Sequence, residues 1–208
     1  MDILASINTQ WNELIFDLKK KHFEIRKTKP KIEPPFRVFV YETKGGKIKS
    51  FISSEKKESN KIVGCGKVIG EFWCDYILEF VTWNDRWYGP SFSCNECKTL
   101  DEEACLTKQM LLDYIGNYNV GYAWHITKPK RYETPVELNE FYEIDKLAVR
   151  NCEFKNQVYT NPVYTNGATL PGGFVCKKTN DWCNKCKKKA LKAPPQSWRY
   201  AERIIAND

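Results

Sequence analysis

The stretch Asp2–Lys27, DILASINTQWNELIFDLKKKHFEIRK, changes its hydrophobic period twice, and those changes decide the fold class. Asp2–Ile7 reads as a short strand. Asn8 or Thr9 then offers a side-chain cap for a helix. Trp11, Leu14, Ile15 and Leu18 follow at i, i+3, i+4 and i+7, which predicts one apolar helix face. At Lys21 the period falls to two. His22, Glu24 and Arg26 alternate with Phe23 and Ile25, as expected of a strand with two chemically different faces. Strand, short helix and strand in so small a space point to a mixed α+β domain.

The rest of the chain extends this reading. Pro30, Pro34 and Pro35 interrupt the pattern, and Arg37–Glu42 then reads as a strand buried on both faces. Residues 43–62 are polar, lysine-rich and carry Gly45-Gly46, which predicts an exposed loop. Lys67–Trp83 reads as one long strand, with Gly70 marking a bulge or a close backbone approach. Residues 84–106 read as a loop. Thr107 caps a second helix with Met110, Leu111, Tyr114 and Ile115 on one face and Gly116 at its end. Gly121–Thr127 reads as a strand. Thr134-Pro135-Val136-Glu137 has the cap, N1 proline and glutamate of a third helix, running through Phe141. Ser197–Glu202 is a last strand. The sum is a small mixed β-barrel with two or three short peripheral helices. It is expected to form one domain over residues 1–208, with a Cys/Lys-rich insertion at 143–190.

Composition narrows the function. Apolar residues make up 42% of the 208 and aromatics 14%, enough for a packed core. The formal charge of +7, from 33 Lys and Arg against 26 Asp and Glu, favours anionic partners, nucleic acid first. No window approaches the roughly 20 apolar residues that span a bilayer. Met1–Gln10 lacks the basic head and apolar run of a signal peptide, so the expected compartment is cytoplasmic, with reduced cysteines.

The pieces in order, namely the Asp2–Lys27 run, GKVIGEFWCDYI at 66–77, the helix ending at Gly116, GYAWHITKPKRYETPVELNEF at 121–141 and PPQSWRY at 194–200, resemble an ASCH domain of the PUA-like superfamily. They are most similar to a subgroup known from bacteria and phages. The family's Gly-x-Lys-x-x-Glu-x-Arg motif is matched at Lys21, Glu24 and Arg26, with Lys19 in place of the glycine. The resemblance implies a barrel that binds RNA, a nucleotide or a modified base in a cleft floored by the Lys21–Arg26 strand and the Glu71 strand. Arg26 and Lys21 would hold phosphate, Glu24 would accept from base amino groups, and Trp124 or Trp73 would stack on a base. Some ASCH-like proteins resemble amidohydrolases acting on acetylated cytidine through a Lys, a Thr and a Glu, and others are suspected ribonucleases. Lys21, Glu24 and Glu71 are therefore the catalytic candidates, although Glu24 stands where the threonine would be. A third possibility is a phage or bacterial factor that binds a host protein.

Each residue also has a plainer reading. Lys21, Glu24 and Arg26 could be a solvated strand face. Glu71, the one charge in VIGEFWC, needs a partner, for which Arg26 or Lys21 is the obvious choice. Trp124 and Trp198 would ordinarily fill a core. His125 alternates with Trp124, so one of the two faces outward.

The nine cysteines are the remaining signal. Cys183 and Cys186 form a CxxC, with Cys176 and Cys152 upstream, and four thiolates at such spacing suit a tetrahedral structural zinc. The neighbouring run of Lys185, Lys187, Lys188 and Lys189 would extend a phosphate-binding surface. Cys94, Cys97 and Cys105 supply three ligands without an evident fourth. Metal analysis of protein purified under reducing conditions should find about one zinc per chain; finding none would exclude the knuckle.

Overall fold

The computed structural model describes residues 2–45, 63–144, 155–158, 173–176 and 188–203. Strand β1 (Asp2–Ile7) is apolar on both faces, and Ile3, Leu4 and Ala5 are fully buried. It pairs in parallel with β3 (Phe36–Glu42). A parallel pair needs a crossover. Here the crossover carries α1 (Thr9–Asn12), a π-helical turn (Glu13–Asp17) and β2 (Phe23–Arg26). The π turn widens the helix and breaks the predicted i, i+7 face. Asn12, Ile15 and Phe16 are buried, whereas Leu18 is half exposed.

The chain divides into two compact units. The first, Met1–Leu138 with Ala193–Tyr200, holds two open sheets. One runs β13 (Trp198–Arg203, here its Trp198–Tyr200 part), β1, β3, β4 (Val68–Cys74) and β8 (Thr127–Val136). The other is antiparallel, in the order β2, β7 (Asn119–His125), β5 (Ile77–Asp85) and β6 (Gly89–Cys94). The class is mixed α+β as expected. The described sheets do not close into one ring, so the barrel is a loose one.

Two apolar clusters hold this unit. One joins Ile3, Ala5, Ile7, Val38, Val40, Ile69 and Phe72 to Trp124 of the second sheet. The other packs Phe23, Ile25, Phe80 and Ala123 under α2 (Leu100–Glu103) and α3 (Lys108–Ile115). The second unit, Asn139–Lys192 with Ala201–Asp208, contains the predicted insertion. In it β9 (Phe141–Ile144) pairs with β12 (Lys188–Ala190) and with Glu202 and Arg203 of β13. There too β10 (Lys155–Val158) pairs with β11 (Gly173–Cys176).

Three expectations change. The run 67–83 is two strands, not one, broken at Asp75-Tyr76, and its halves join different sheets. The 84–106 loop contains β6 and α2. The helix predicted from Thr134 is the end of β8, where Val136 pairs with Val68, followed by a single 3-10 turn at Leu138–Glu140. Pro129 and Pro135 are tolerated because β8 is the outer strand of its sheet and needs fewer N–H donors. Gly70 marks both a register shift and a close approach: a Cβ there would lie 2.6 Å from the Lys130 carbonyl. Among the described residues no helix is long and apolar enough to cross a membrane.

Lys19, which stands where the motif has glycine, turns the chain from the π segment into β2 with φ of +50°. A side chain in that left-handed region is strained. Lys19 is exposed, so little else should change on substitution. Lys19→Gly should therefore raise unfolding free energy by about 1 kcal/mol in urea denaturation. An unchanged or lower midpoint would refute the strain.

Candidate functional site

Lys21, Glu24 and Arg26 are 4%, 7% and 4% exposed. This is not a solvated strand face. The alternation of β2 sends Phe23 and Ile25 into the α2/α3 cluster, while Glu24 pairs opposite Trp124 on the neighbouring strand. Glu24 Oε1 forms an ion pair with Arg26 Nη2 at 3.0 Å, and its Oε2 lies 3.8 Å from Lys21 Nζ. Buried charges persist only when paired and hydrogen-bonded.

Arg26 is a tie as well as a charge. Its Nη1 donates to the Ser197 carbonyl at 3.1 Å and to Ser197 Oγ at 3.2 Å; its Nη2 also donates to the Ser6 carbonyl at 3.1 Å. The guanidinium thus joins β2 to β1 and to the residue preceding β13. Both terminal nitrogens donate to protein acceptors, and Nε–H has no partner among the described residues. The expected bidentate grip on a phosphate would require breaking these bonds.

Lys21 donates to the Ala104 carbonyl at 2.7 Å, at the end of α2, and lies 5.1 Å from the centre of the Trp11 ring. Burial pulls its ammonium pKa below the ordinary lysine value, opposed chiefly by Glu24.

The three residues line a cavity of about 440 Å³. Trp11, Tyr114, Met110 and Leu106 form its less polar walls; Ser6, Asn8, Gln10, Thr43, Asp113 and Gln196 add polar groups. Tyr114 is 40% exposed, and burial of its remainder pushes its hydroxyl pKa up. The volume falls within the roughly 300–1,000 Å³ of small-ligand pockets. Trp11 and Tyr114 are absent from the expected site because their helical spacing marks them as core. The amides at 8, 10 and 196 carry no periodic signal.

The other expected site residues lie elsewhere. Glu71 does not meet Lys21 or Arg26. It alternates out of the core on β4, accepts from Tyr132 Oη at 2.6 Å and lies 3.8 Å from Arg37 Nη1. Pairing with β3 and β8 supplies these partners, which sequence proximity does not indicate. Trp124 is fully buried in the first apolar cluster and is not among the cavity's lining residues. Trp73 is 39% exposed but also lies outside the lining. His125 is the outward member of its pair, with Nδ1 2.7 Å from Asp75 Oδ1 and its ring stacked on Tyr76.

The cysteines divide. Cys152, Cys183, Cys186 and the Cys176 side chain, the expected zinc ligands, lie outside the described residues. Cys94 and Cys97 are buried in the α2/α3 cluster, and Cys105 Sγ donates to the Lys20 carbonyl. Cys74 is buried, its thiol pushed up to about 12 by that burial, and Cys65 is exposed. No group of three metal-ligating side chains occurs among the described residues.

No family model matches the chain, and no curated protein matches it significantly. Among solved structures it is similar to an ASCH protein from Zymomonas mobilis, at 18% identity over 66% of this chain and 73% of that one, with a TM-score of 0.42. Two single-residue variants of that protein, also 18% identical over 66% of this chain, are matched over 74% and 76% of theirs, with TM-scores of 0.43 and 0.42. The likeness is one of fold, and the site geometry stands without it.

The depressed lysine gives a pH signature. A lysine whose folded pKa is below its unfolded one binds fewer protons in the native state between the two values, so stability rises with pH across that interval. Replacing Lys21 by Met removes this gain. The stability difference between Lys21→Met and wild type should therefore move in the wild type's favour as pH rises from neutral toward the ordinary lysine pKa. A difference that is constant, or that moves the other way, would contradict the burial of a titrating amine.

Proposed function

We propose that the first unit binds a nucleotide, or a single unstacked base of an RNA, in the cavity beside Lys21, Glu24 and Arg26, and that it does so in the cytoplasm. The observation that carries this reading is the burial of three charges at the wall of a cavity whose size suits one base. Strand faces at the surface need no such arrangement, and a lysine whose pKa is lowered by burial in a cleft is one mark of a working site. Trp11 and Tyr114 supply aromatic walls, and base-aromatic stacking contributes about 1–3 kcal/mol per base. Aromatic walls around a volume of this size favour a single base over a continuous strand. The excess of positive charge on the chain would then draw in the phosphates of a longer RNA from outside the cavity.

A second reading, hydrolysis of a modified nucleoside, gains support from Lys21. An amine held below its ordinary pKa is better placed to act as a base or nucleophile near neutral pH. Glu24, 3.8 Å away, would steady its charged form. The carboxylate anticipated at Glu71 is not within this pair's reach, so the chemistry would rest on Lys21 and Glu24 alone.

The test is equilibrium binding of nucleoside monophosphates, a short single-stranded RNA and a matched DNA, at about 50 and about 200 mM salt. Monophosphates should bind with little salt dependence, RNA more tightly and with strong dependence. Lys21→Met should lose both, while Trp87→Ala, on the exposed turn between β5 and β6, should keep both. Absence of binding by every ligand would overturn the proposal.

A further inference from the structure

We infer that the cavity reads guanine, with Lys21 and Glu24 facing the O6, N1–H and N2–H₂ edge of the base. The inference rests on the nucleotide-binding reading and adds the identity of the base. It begins with charge. Two cations, Lys21 and Arg26, and two anions, Glu24 and Asp113, line the cavity, so their formal charges cancel. A wall of that kind suits a neutral, hydrogen-bonding ligand better than a phosphate.

The donors and acceptors decide which one. Glu24 is a salt-bridged carboxylate, an acceptor only, with about four lone-pair sites. Arg26 Nη2 sits 3.0 Å from Oε1 as an ion pair. Lys21 stands 3.8 Å from Oε2, beyond hydrogen-bond distance. Each oxygen therefore keeps room for another donor. Lys21 gives one N–H to the Ala104 carbonyl and has others to offer. Arg26 is held by hydrogen bonds to Ser6 and Ser197 and faces Glu24 through its ion pair, so Lys21 is the donor of the reading face. The reading face is thus one donor beside two acceptors.

Only one of the four RNA bases presents the complement in sequence. Guanine offers an acceptor at O6, then donors at N1 and N2. Adenine offers a donor and then an acceptor. Cytosine offers a donor followed by two acceptors, and uracil an acceptor on both sides of its single donor. Each of those three sets an acceptor against a carboxylate lone pair or leaves one unfilled, and unfilled buried polar groups are the costly ones. Trp11 and Tyr114 would stack on the purine faces without changing this order of preference.

The test uses the whole wild-type chain and the chemistry of the ligand. Guanosine, inosine, 1-methylguanosine, adenosine, cytidine and uridine are titrated separately. Guanosine should bind tightest. Inosine, which lacks the 2-amino group, should lose on the order of tenfold, the loss of one charge-assisted hydrogen bond. 1-Methylguanosine, which loses N1–H and gains a methyl group, should bind far more weakly still. If inosine equals guanosine, or if adenosine or cytidine binds more tightly, the guanine assignment fails while the nucleotide-binding reading stands. If no nucleoside or nucleotide binds, both fail together.

Discussion

The Glu24 carboxylate sits between two cations that have left water with it. Its removal would strand Lys21 and Arg26 as like charges in a buried wall, a loss of about 3–5 kcal/mol by analogy with other broken buried pairs. Much else depends on the same contact. Arg26, oriented by Glu24, also holds the Ser6 and Ser197 carbonyls and so joins three segments that are distant in sequence. Lys21 holds the Ala104 carbonyl, and the His22 N–H donates to the Glu103 carbonyl, so the start of β2 is fixed to the end of α2. These ties hold β1, β2, the end of α2 and Ser197 together at the wall of the cavity. Its chemistry and the local architecture therefore share one set of residues.

The parts of this arrangement that were legible in the sequence are those with local causes. The two faces of β2 follow from strict alternation. Thr107 and Gly116 bracket α3 as read, with Thr107 accepting from the Met110 N–H and Gly116 at a φ of +107°. Gly70 announced its close contact because little but glycine fits there. The illegible parts have nonlocal causes. The break at Asp75-Tyr76 has no glycine or proline to mark it, and the decision to switch sheets lies with β7, which pairs with β5 from Ile77 to Thr82. Leu18 was misplaced because a π turn is set by what packs around it, not by its own spacing. Glu71 found Arg37 and Tyr132 because β3 and β8 flank β4. The Lys21, Glu24 and Arg26 set was visible as a motif, but its burial, which separates a site from a solvated face, was not.

Net charge and local charge have different roles. The excess of seven positive charges is a property of the whole surface. Part of it lies on β8, where Lys128 and Lys130 are exposed on an outer strand. Lysines there discourage edge-to-edge association and attract polyanions at long range. The cavity is formally neutral by contrast. Attraction and discrimination are thus separated, the first spread over the surface and screened by salt, the second confined to a few hydrogen-bonding groups shielded from it.

The central claim is that a base enters the cavity beside Trp11. The most direct measurement is the indole N–H signal of Trp11 in a two-dimensional NMR spectrum, followed while guanosine monophosphate is added, with Trp87 as the internal reference on its exposed turn. Entry of the base should give a saturating shift of the Trp11 signal with the Trp87 signal unmoved. Binding that shifts Trp87 and leaves Trp11 in place would contradict it.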